Sequence, residues 1–565
     1  MKRAHEAIVR VVLIGTAMLA GAGASHAQIT SPTSIPLHLF QENPSSNGIW
    51  RLGINVGIGS GAPQLYLFDT GSSLFNAVYN QSWWPGFTAS PSTNNAPSSS
   101  LPTSVRYCYG TGACRGYEGN IVQVPSLSFY GWGATSPSAT LSAAPGFQVN
   151  AVYAHLQDGV PTSVVGATSP PIEGYFYGTF GAADFVSLHN GYNAGGVLGQ
   201  TMMSGAGARQ GYVVSANGQK NPTSDVNGPQ QINGQTVTVG GQSRPVTGCS
   251  PCVTVGLTPE ILGQFMVATP GTSGLPGMVP WTQSGSSTFP NPYGTGPGNN
   301  STSEFGSNYT VTLKSAAGQT FTVTGRGLLD TGTANLLLSS GFNVPALSGN
   351  GTSIDPGVTL TVGGATAGGG AVSGLANAAA VTLTAQPSTT PNTLPANNAY
   401  HATFAAGTTN TIGLSFFLQN SVLYDLTDQA VAYTPFFVTA APVATTANGP
   451  LVIGGANVPL GLAGVVSGAG GLTIGSGGAA QLSAANTYTG VTTIAAASTG
   501  MPAGQLLISG PGSIASSAGV VNNGILDISR AWAPVSIQSL SARDRSIWVA
   551  RISPSPTAAA PLLAR

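Results

Sequence analysis

Two copies of one short pattern constrain this chain more than any other feature. The first is Tyr66-Leu-Phe-Asp-Thr-Gly-Ser-Ser73 and the second is Gly327-Leu-Leu-Asp-Thr-Gly-Thr-Ala334. In both, apolar residues run straight into Asp, then Thr, Gly and a small residue. Such a run carries a carboxylate from a buried strand onto a tight turn. A single Asp-Thr-Gly is ordinary turn chemistry. Two of them, 261 residues apart and each behind a strand-like run, point to two equivalent loops. Facing each other, they would hold two carboxylates that cannot readily both ionise.

The rest of the composition fits a mainly β protein. Short β-branched and aromatic runs are punctuated by Gly, Pro, Asn and Ser, and Gly alone contributes 79 of 565 residues. Charged residues make up 6%, with 16 basic against 16 acidic. No basic stripe is available to hold a phosphate backbone, which argues against nucleic acid as a partner. With 42% hydrophobic residues the composition does not match that of a disordered chain. The best short helical pattern is Pro259–Val267.

The N-terminus reads as an export signal. Lys2, Arg3 and Arg10 precede the uncharged stretch Val11–Ala24, and Ser25-His26-Ala27 offers small residues where a signal peptidase reads. The stretch is short for a membrane span. Cleavage after Ala27 is expected, with the mature chain outside the cytosol: periplasmic, surface-bound or secreted. Cys108, Cys114, Cys249 and Cys252 suit that compartment as two local disulfides, 108–114 and 249–252. The Cys249–Cys252 CxxC alone is also compatible with a redox or zinc role, and spacing does not fix connectivity.

The expected organisation is a signal peptide over 1–27 and a β-rich catalytic region over 28–440. A segment rich in Gly, Asn and Gln, about 204–308, reads as an insertion between halves at about 28–203 and 309–440. No charged residue occurs between Gln429 and Leu526. There, short apolar alternations are separated by Gly and Asn turns. That suits stacked rungs of a short parallel β-solenoid over 441–530, followed by an irregular tail over 531–565.

Water attacks an amide poorly unless a base takes its proton and an acid polarises the carbonyl. Two close carboxylates sharing one proton supply both functions. Asp69 and Asp330 are the candidate pair. Thr70, Gly71, Ser72, Thr331, Gly332 and Thr333 support them, the glycines by permitting the turn and the hydroxyls by orienting the carboxylates. No HExxH or GxSxG motif is present, and His38, His155, His189 and His401 show no ligand spacing. Neither a metal nor an organic cofactor is expected.

On these residues the chain resembles the pepsin-like aspartic proteases. Ile54–Phe68 is similar to that family's first hairpin. Tyr109, Gly110, Thr111 and Gly112 resemble its flap, the hairpin that closes over substrate. Val197-Leu-Gly199 and Ile412-Gly413 resemble the strand behind each Asp loop, and Leu414–Pro435 resembles the closing helix and hairpin. The likeness covers residues 34–438 and implies a bilobal fold, with an endopeptidase cleft between the lobes and a peptide or protein substrate. Ser483–Ile494 and the pieces through Ile528 resemble the passenger-associated repeat of Gram-negative autotransporters. This implies association with an outer membrane through that region. A monomer is expected.

Three departures stand out. Asn76 occupies the place of the family's flap-anchoring Trp and retains a side-chain donor. Ala334 removes a hydroxyl from the second motif, so Asp69 has the fuller Ser-Ser surroundings. No basic pro-segment fits between Gln28 and Asp69. The alternative function is a non-enzymatic, adhesin-type passenger on a degenerate protease fold.

Overall fold

The computed structural model describes residues 27–41, 50–80, 82–85, 104–109, 114–164, 171–172, 174–183, 187–189, 192–194, 196–218, 236–245, 249–265, 278–284, 289–290, 300–301, 304–365, 381–385, 399–400, 402–405, 410–454, 459–542 and 547–549. The protein is mainly β, with sheets of 11, 14, 7 and 6 strands among several smaller ones. Residues 1–26 of the expected signal peptide (1–27), residues 110–113 and most of the tail lie outside the described residues, whereas Ala27 opens the strand Ala27–Ile29. Among the described residues no helix is long and apolar enough to cross a membrane.

Each Asp-Thr-Gly motif leaves a central strand. Gln64–Asp69 lies between Trp50–Ile58, antiparallel to it, and Gly178–Gly181, parallel to it. With neighbours on both sides, Leu65, Tyr66, Leu67 and Phe68 are all buried, which is why this strand reads as a continuous apolar run. Phe75–Val78 returns antiparallel to Gly178–Gly181. The second half repeats the arrangement. Thr320–Leu329 runs antiparallel to Glu304–Lys314 and parallel to Asn410–Ile412, and Leu336–Ser339 returns antiparallel to the latter. Ile412 thus stands behind the second Asp loop, in register with Leu329. In the first half that place belongs to Phe180, in register with Phe68. Val197 and Leu198, expected there, are buried in a turn instead.

Residues 204–308, expected to be a surface insertion, supply two core strands. Arg209–Ser215 and Cys252–Leu257 pair with each other. They are flanked by Thr33–Pro36 on one side and Ser421–Asp425 on the other. The apolar runs Tyr-Val-Val and Cys-Val-Thr-Val-Gly-Leu are buried strands, and the polar stretches around them obscured this in the sequence. Cys249 and Cys252 form a disulfide at the start of the second run. The helix is shorter than its pattern and covers Pro259–Leu262. Thr258 caps it by accepting from the Ile261 amide, and Pro259 occupies its first turn.

Beyond Thr434 the chain stacks short strands in parallel. One series is Phe437–Thr439, Leu460–Leu462, Ala479–Leu482, Gln505–Gly510, Ile525–Ala531 and Ile547–Val549. A second is Leu451–Ile453, Leu472–Ile474, Thr492–Ile494, Val520–Asn522 and Leu540–Ala542, and a third pairs Val443–Thr445 with Val466–Gly468. Register stacks Leu451 on Leu472 and aligns Ile453, Ile474 and Ile494, while Thr492 follows Leu472 in the next rung. The inward Leu and Ile side chains form a separate apolar core. The stacking starts at Phe437 rather than 441 and runs past 530 to Val549.

This stack is joined to the preceding sheets. The hairpin Thr236–Val239 and Gln242–Pro245 adds to Leu451–Ile453. Gln264 Nε2 donates to Ser483 Oγ at 2.6 Å, Ser483 Oγ donates to the Glu260 carbonyl at 2.6 Å, and Gln481 Nε2 donates to the Gln264 carbonyl at 3.2 Å.

Candidate active site

The two Asp loops meet through their threonines. Thr70 Oγ1 donates to the Leu329 carbonyl at 2.9 Å, and Thr331 Oγ1 donates to the Phe68 carbonyl at 2.8 Å. Each hydroxyl also accepts the other threonine's amide: Thr70 N to Thr331 Oγ1 at 3.0 Å, and Thr331 N to Thr70 Oγ1 at 3.0 Å. Both side chains are fully buried. Four buried backbone groups are therefore satisfied across the loops by two hydroxyls. Valine has the same shape but neither function.

The glycines allow the carboxylates to approach. A Cβ on Gly71 would stand 2.5 Å from Asp330 Cγ, and one on Gly332 would stand 2.5 Å from Asp69 Oδ1. Each aspartate thus lies against the opposite loop's glycine. Neither glycine adopts a left-handed conformation, so close approach, rather than the tight turn expected from the sequence, is what excludes a side chain.

The carboxylates are nearly enclosed, with Asp69 6% and Asp330 9% exposed. Asp69 Oδ1 accepts from Gly71 N at 2.7 Å. Asp330 Oδ1 accepts from Gly332 N at 2.8 Å and Thr333 N at 3.3 Å, and its Oδ2 accepts from Thr333 Oγ1 at 2.5 Å. The Asp69 carboxyl is held well above the ordinary carboxylate range. Burial is the main cause, followed by the charge of Asp330 and a hydrogen bond shared with it. Ser72 Oγ, buried beside Asp69, favours its charge but forms no well-aligned hydrogen bond. The sequence expectation is thus reversed: the loop with Ala334 has the fully bonded aspartate, because Thr333 alone supplies the hydroxyl.

The strand Ser104–Tyr109 runs alongside and pairs with the start of Arg115–Tyr130. The Cys108–Cys114 disulfide ties the two together, with 5.1 Å between Cα atoms. Gly110, Thr111 and Gly112 lie outside the described residues. Tyr109 is half-buried, with its ring 5.0 Å from that of Tyr107 and 5.6 Å from that of Tyr117. Its hydroxyl accepts from Asn76 Nδ2 at 3.4 Å. Asn76 is held by Asn150, whose Nδ2 donates to Asn76 Oδ1 at 2.8 Å. A cavity of about 400 Å³ opens beside Tyr109, Arg115, Tyr117 and His155.

Two residues near the pair have no counterpart in the sequence expectations. Tyr107 Oη accepts from Ser73 N at 3.4 Å, which brings the neighbouring strand onto the first Asp loop. Arg51 Nη1 donates to the Gly332 carbonyl of the second loop. No local motif marks either one, since both contacts depend on tertiary pairing. His38 lies in the core, with Nε2 bonded to the Tyr130 carbonyl at 3.2 Å. Among the described residues no cluster of His, Cys, Asp and Glu could hold a metal ion.

No family model and no curated protein matches this chain. Among solved structures, an aspartic proteinase from Irpex lacteus is similar, with 15% identity over 72% of this chain and 97% of the other and a TM-score of 0.34. This is a weak, low-identity resemblance to a pepsin-like fold over part of the chain.

Proposed function

We propose that this protein is an exported aspartic-type endopeptidase that cleaves peptide or protein substrates between Asp69 and Asp330. The observation that carries the reading is the reciprocal Thr70–Thr331 lock, which sets each carboxylate against the opposite loop's glycine. In this reading the pair shares one proton. Charged Asp330 takes a proton from water as its oxygen attacks the peptide carbonyl carbon. Asp69 gives its proton to the carbonyl oxygen, which produces a neutral tetrahedral diol. In the second half the proton taken by Asp330 passes to the amide nitrogen and the C–N bond breaks. The other proton returns to Asp69 as the new carboxyl group forms.

The wider reading is a bilobal pepsin-like fold followed by a β-solenoid of the autotransporter type. The matching strand plans around the two Asp loops and the in-register stack beyond Thr434 support it. Gly110, Thr111 and Gly112 would close over an extended substrate from the strand that Asn76 and Tyr109 anchor. The charged-then-apolar pattern over residues 1–27 supports a location outside the cytosol, and the stack would associate the protein with an outer membrane. A digest of a peptide library between about pH 3 and pH 7, with Asp330→Asn as control, tests the reading. Cleavage that disappears in the variant supports it. Cleavage that persists in the variant removes Asp330 from the chemistry, and no cleavage by the wild-type protein favours the non-enzymatic, adhesin-type passenger.

A further inference from the structure

We infer that Arg51 is a positioning residue for Asp330, acting from the first half of the chain through a single peptide group of the second Asp loop. The inference rests on the reading of Asp69 and Asp330 as a working pair. Arg51 lies on Trp50–Ile58, the strand beside the one that delivers Asp69, 281 positions before Gly332. Its guanidinium donates to the Gly332 carbonyl oxygen. That carbonyl and the Thr333 amide belong to the same peptide group. The Thr333 amide in turn donates to Asp330 Oδ1 at 3.3 Å.

A cation on the oxygen of a peptide group polarises it and strengthens its N–H as a donor. The positive charge of Arg51 therefore reaches the Asp330 carboxylate through an aligned peptide dipole, without a direct ion pair. Asp69 differs: among the described residues it receives one backbone amide, from Gly71, whereas Asp330 receives two. The arrangement supports negative charge on the aspartate that must act as the base and leaves the proton on the other. It also explains why the second loop functions without a hydroxyl at Ala334. The titratable and charged groups facing the pair are Arg51, Tyr107 and Tyr109 from the first half. From the second comes Tyr424, whose hydroxyl donates to the Leu329 carbonyl at 3.1 Å. Arg51 is the cation of this set.

The test reads protonation of the pair directly. A diazoacetamide esterifies a protonated carboxyl: the proton moves to the diazo carbon, dinitrogen leaves, and the carboxylate oxygen forms the new C–O bond. Mass spectrometry of the peptides containing Asp69 and Asp330 gives ester yield against pH for wild type, Arg51→Gln and Arg51→Lys. In Arg51→Gln the acid-side midpoint, where the second carboxyl of the pair takes its proton, should rise by roughly one pH unit. Lysine keeps the charge but loses the planar fork, so its midpoint should rise by less. If the glutamine variant does not fold, the lysine variant carries the test. A folded variant with the wild-type midpoint overturns the inference, because a purely structural arginine would change the yield of folded protein and not its titration. Peptide hydrolysis run in parallel separates the two claims. A shifted midpoint in a protein that cleaves nothing defeats the peptidase reading alone. Cleavage with an unmoved midpoint defeats the role of Arg51 alone.

Discussion

Replacing Thr331 by valine removes two hydrogen bonds and almost no volume. The Phe68 carbonyl loses its donor at 2.8 Å and the Thr70 amide loses its acceptor at 3.0 Å. Both groups lie in a region sealed from water, where Thr70 and Thr331 are fully buried. An orphaned buried group costs about 1–3 kcal/mol, so two give about 2–6 kcal/mol, centred near 4. Thr331→Ser keeps the hydroxyl and loses one methyl, at a cost of about 1 kcal/mol. Chemical denaturation of the three proteins gives the difference, provided the slope with denaturant is unchanged. Thr70→Val should cost less, about 1–3 kcal/mol, because the Leu329 carbonyl keeps the Tyr424 hydroxyl as a donor at 3.1 Å and only the Thr331 amide is orphaned. The double variant should cost less than the sum, because loops already freed can move and find water. A Thr331→Val protein within about 0.5 kcal/mol of wild type would refute the claim that this lock holds the loops together.

Four other perturbations follow from the same structure. Gly71→Ala would place a methyl 2.5 Å from Asp330 Cγ, and kcat/KM should fall by about a hundredfold or more as the carboxylates are pushed apart. His38 is buried and its ring is pushed down to about 4 from 6.5, chiefly by desolvation. The unfolded chain therefore takes this proton first, and stability falls by roughly 3 kcal/mol as pH drops from 6.5 through 4. His38→Asn should remove that fall in pH-dependent thermal melts. Asp425 behaves oppositely: burial pushes it up to about 6 from 3.8, so its contribution is present below 3.8 and is lost as pH rises through 6. Arg209 donates to Asp425 Oδ2 at 2.7 Å and also holds Asp428, so Arg209→Met should cost about 3–5 kcal/mol at neutral pH and less in acid.

What could be read in the sequence was whatever short-range pattern carries. The apolar run into Asp-Thr-Gly marked both central strands and both carboxylates. Asn76 kept a donor, and that donor reaches Tyr109. The in-register rungs were visible as apolar alternations between glycines. What escaped was long-range. Arg209–Ser215 and Cys252–Leu257 are core strands only because Ser421–Asp425 and Thr33–Pro36 cover their edges. Phe180 displaced Val197 behind the first loop through parallel pairing that no local signal marks. The glycines were expected for a turn, whereas their role comes from the loop opposite. Arg51 and Tyr107 looked like any strand residues until the loops they touch came from elsewhere in the chain.

The most direct test of the account is peptide hydrolysis by wild type, Asp69→Asn and Asp330→Asn, purified alike and matched for folding by circular dichroism. The account predicts cleavage by wild type and a loss of about a thousandfold or more in each variant, because neither carboxyl alone supplies both the acid and the base. Wild-type cleavage rates in either folded variant would contradict it.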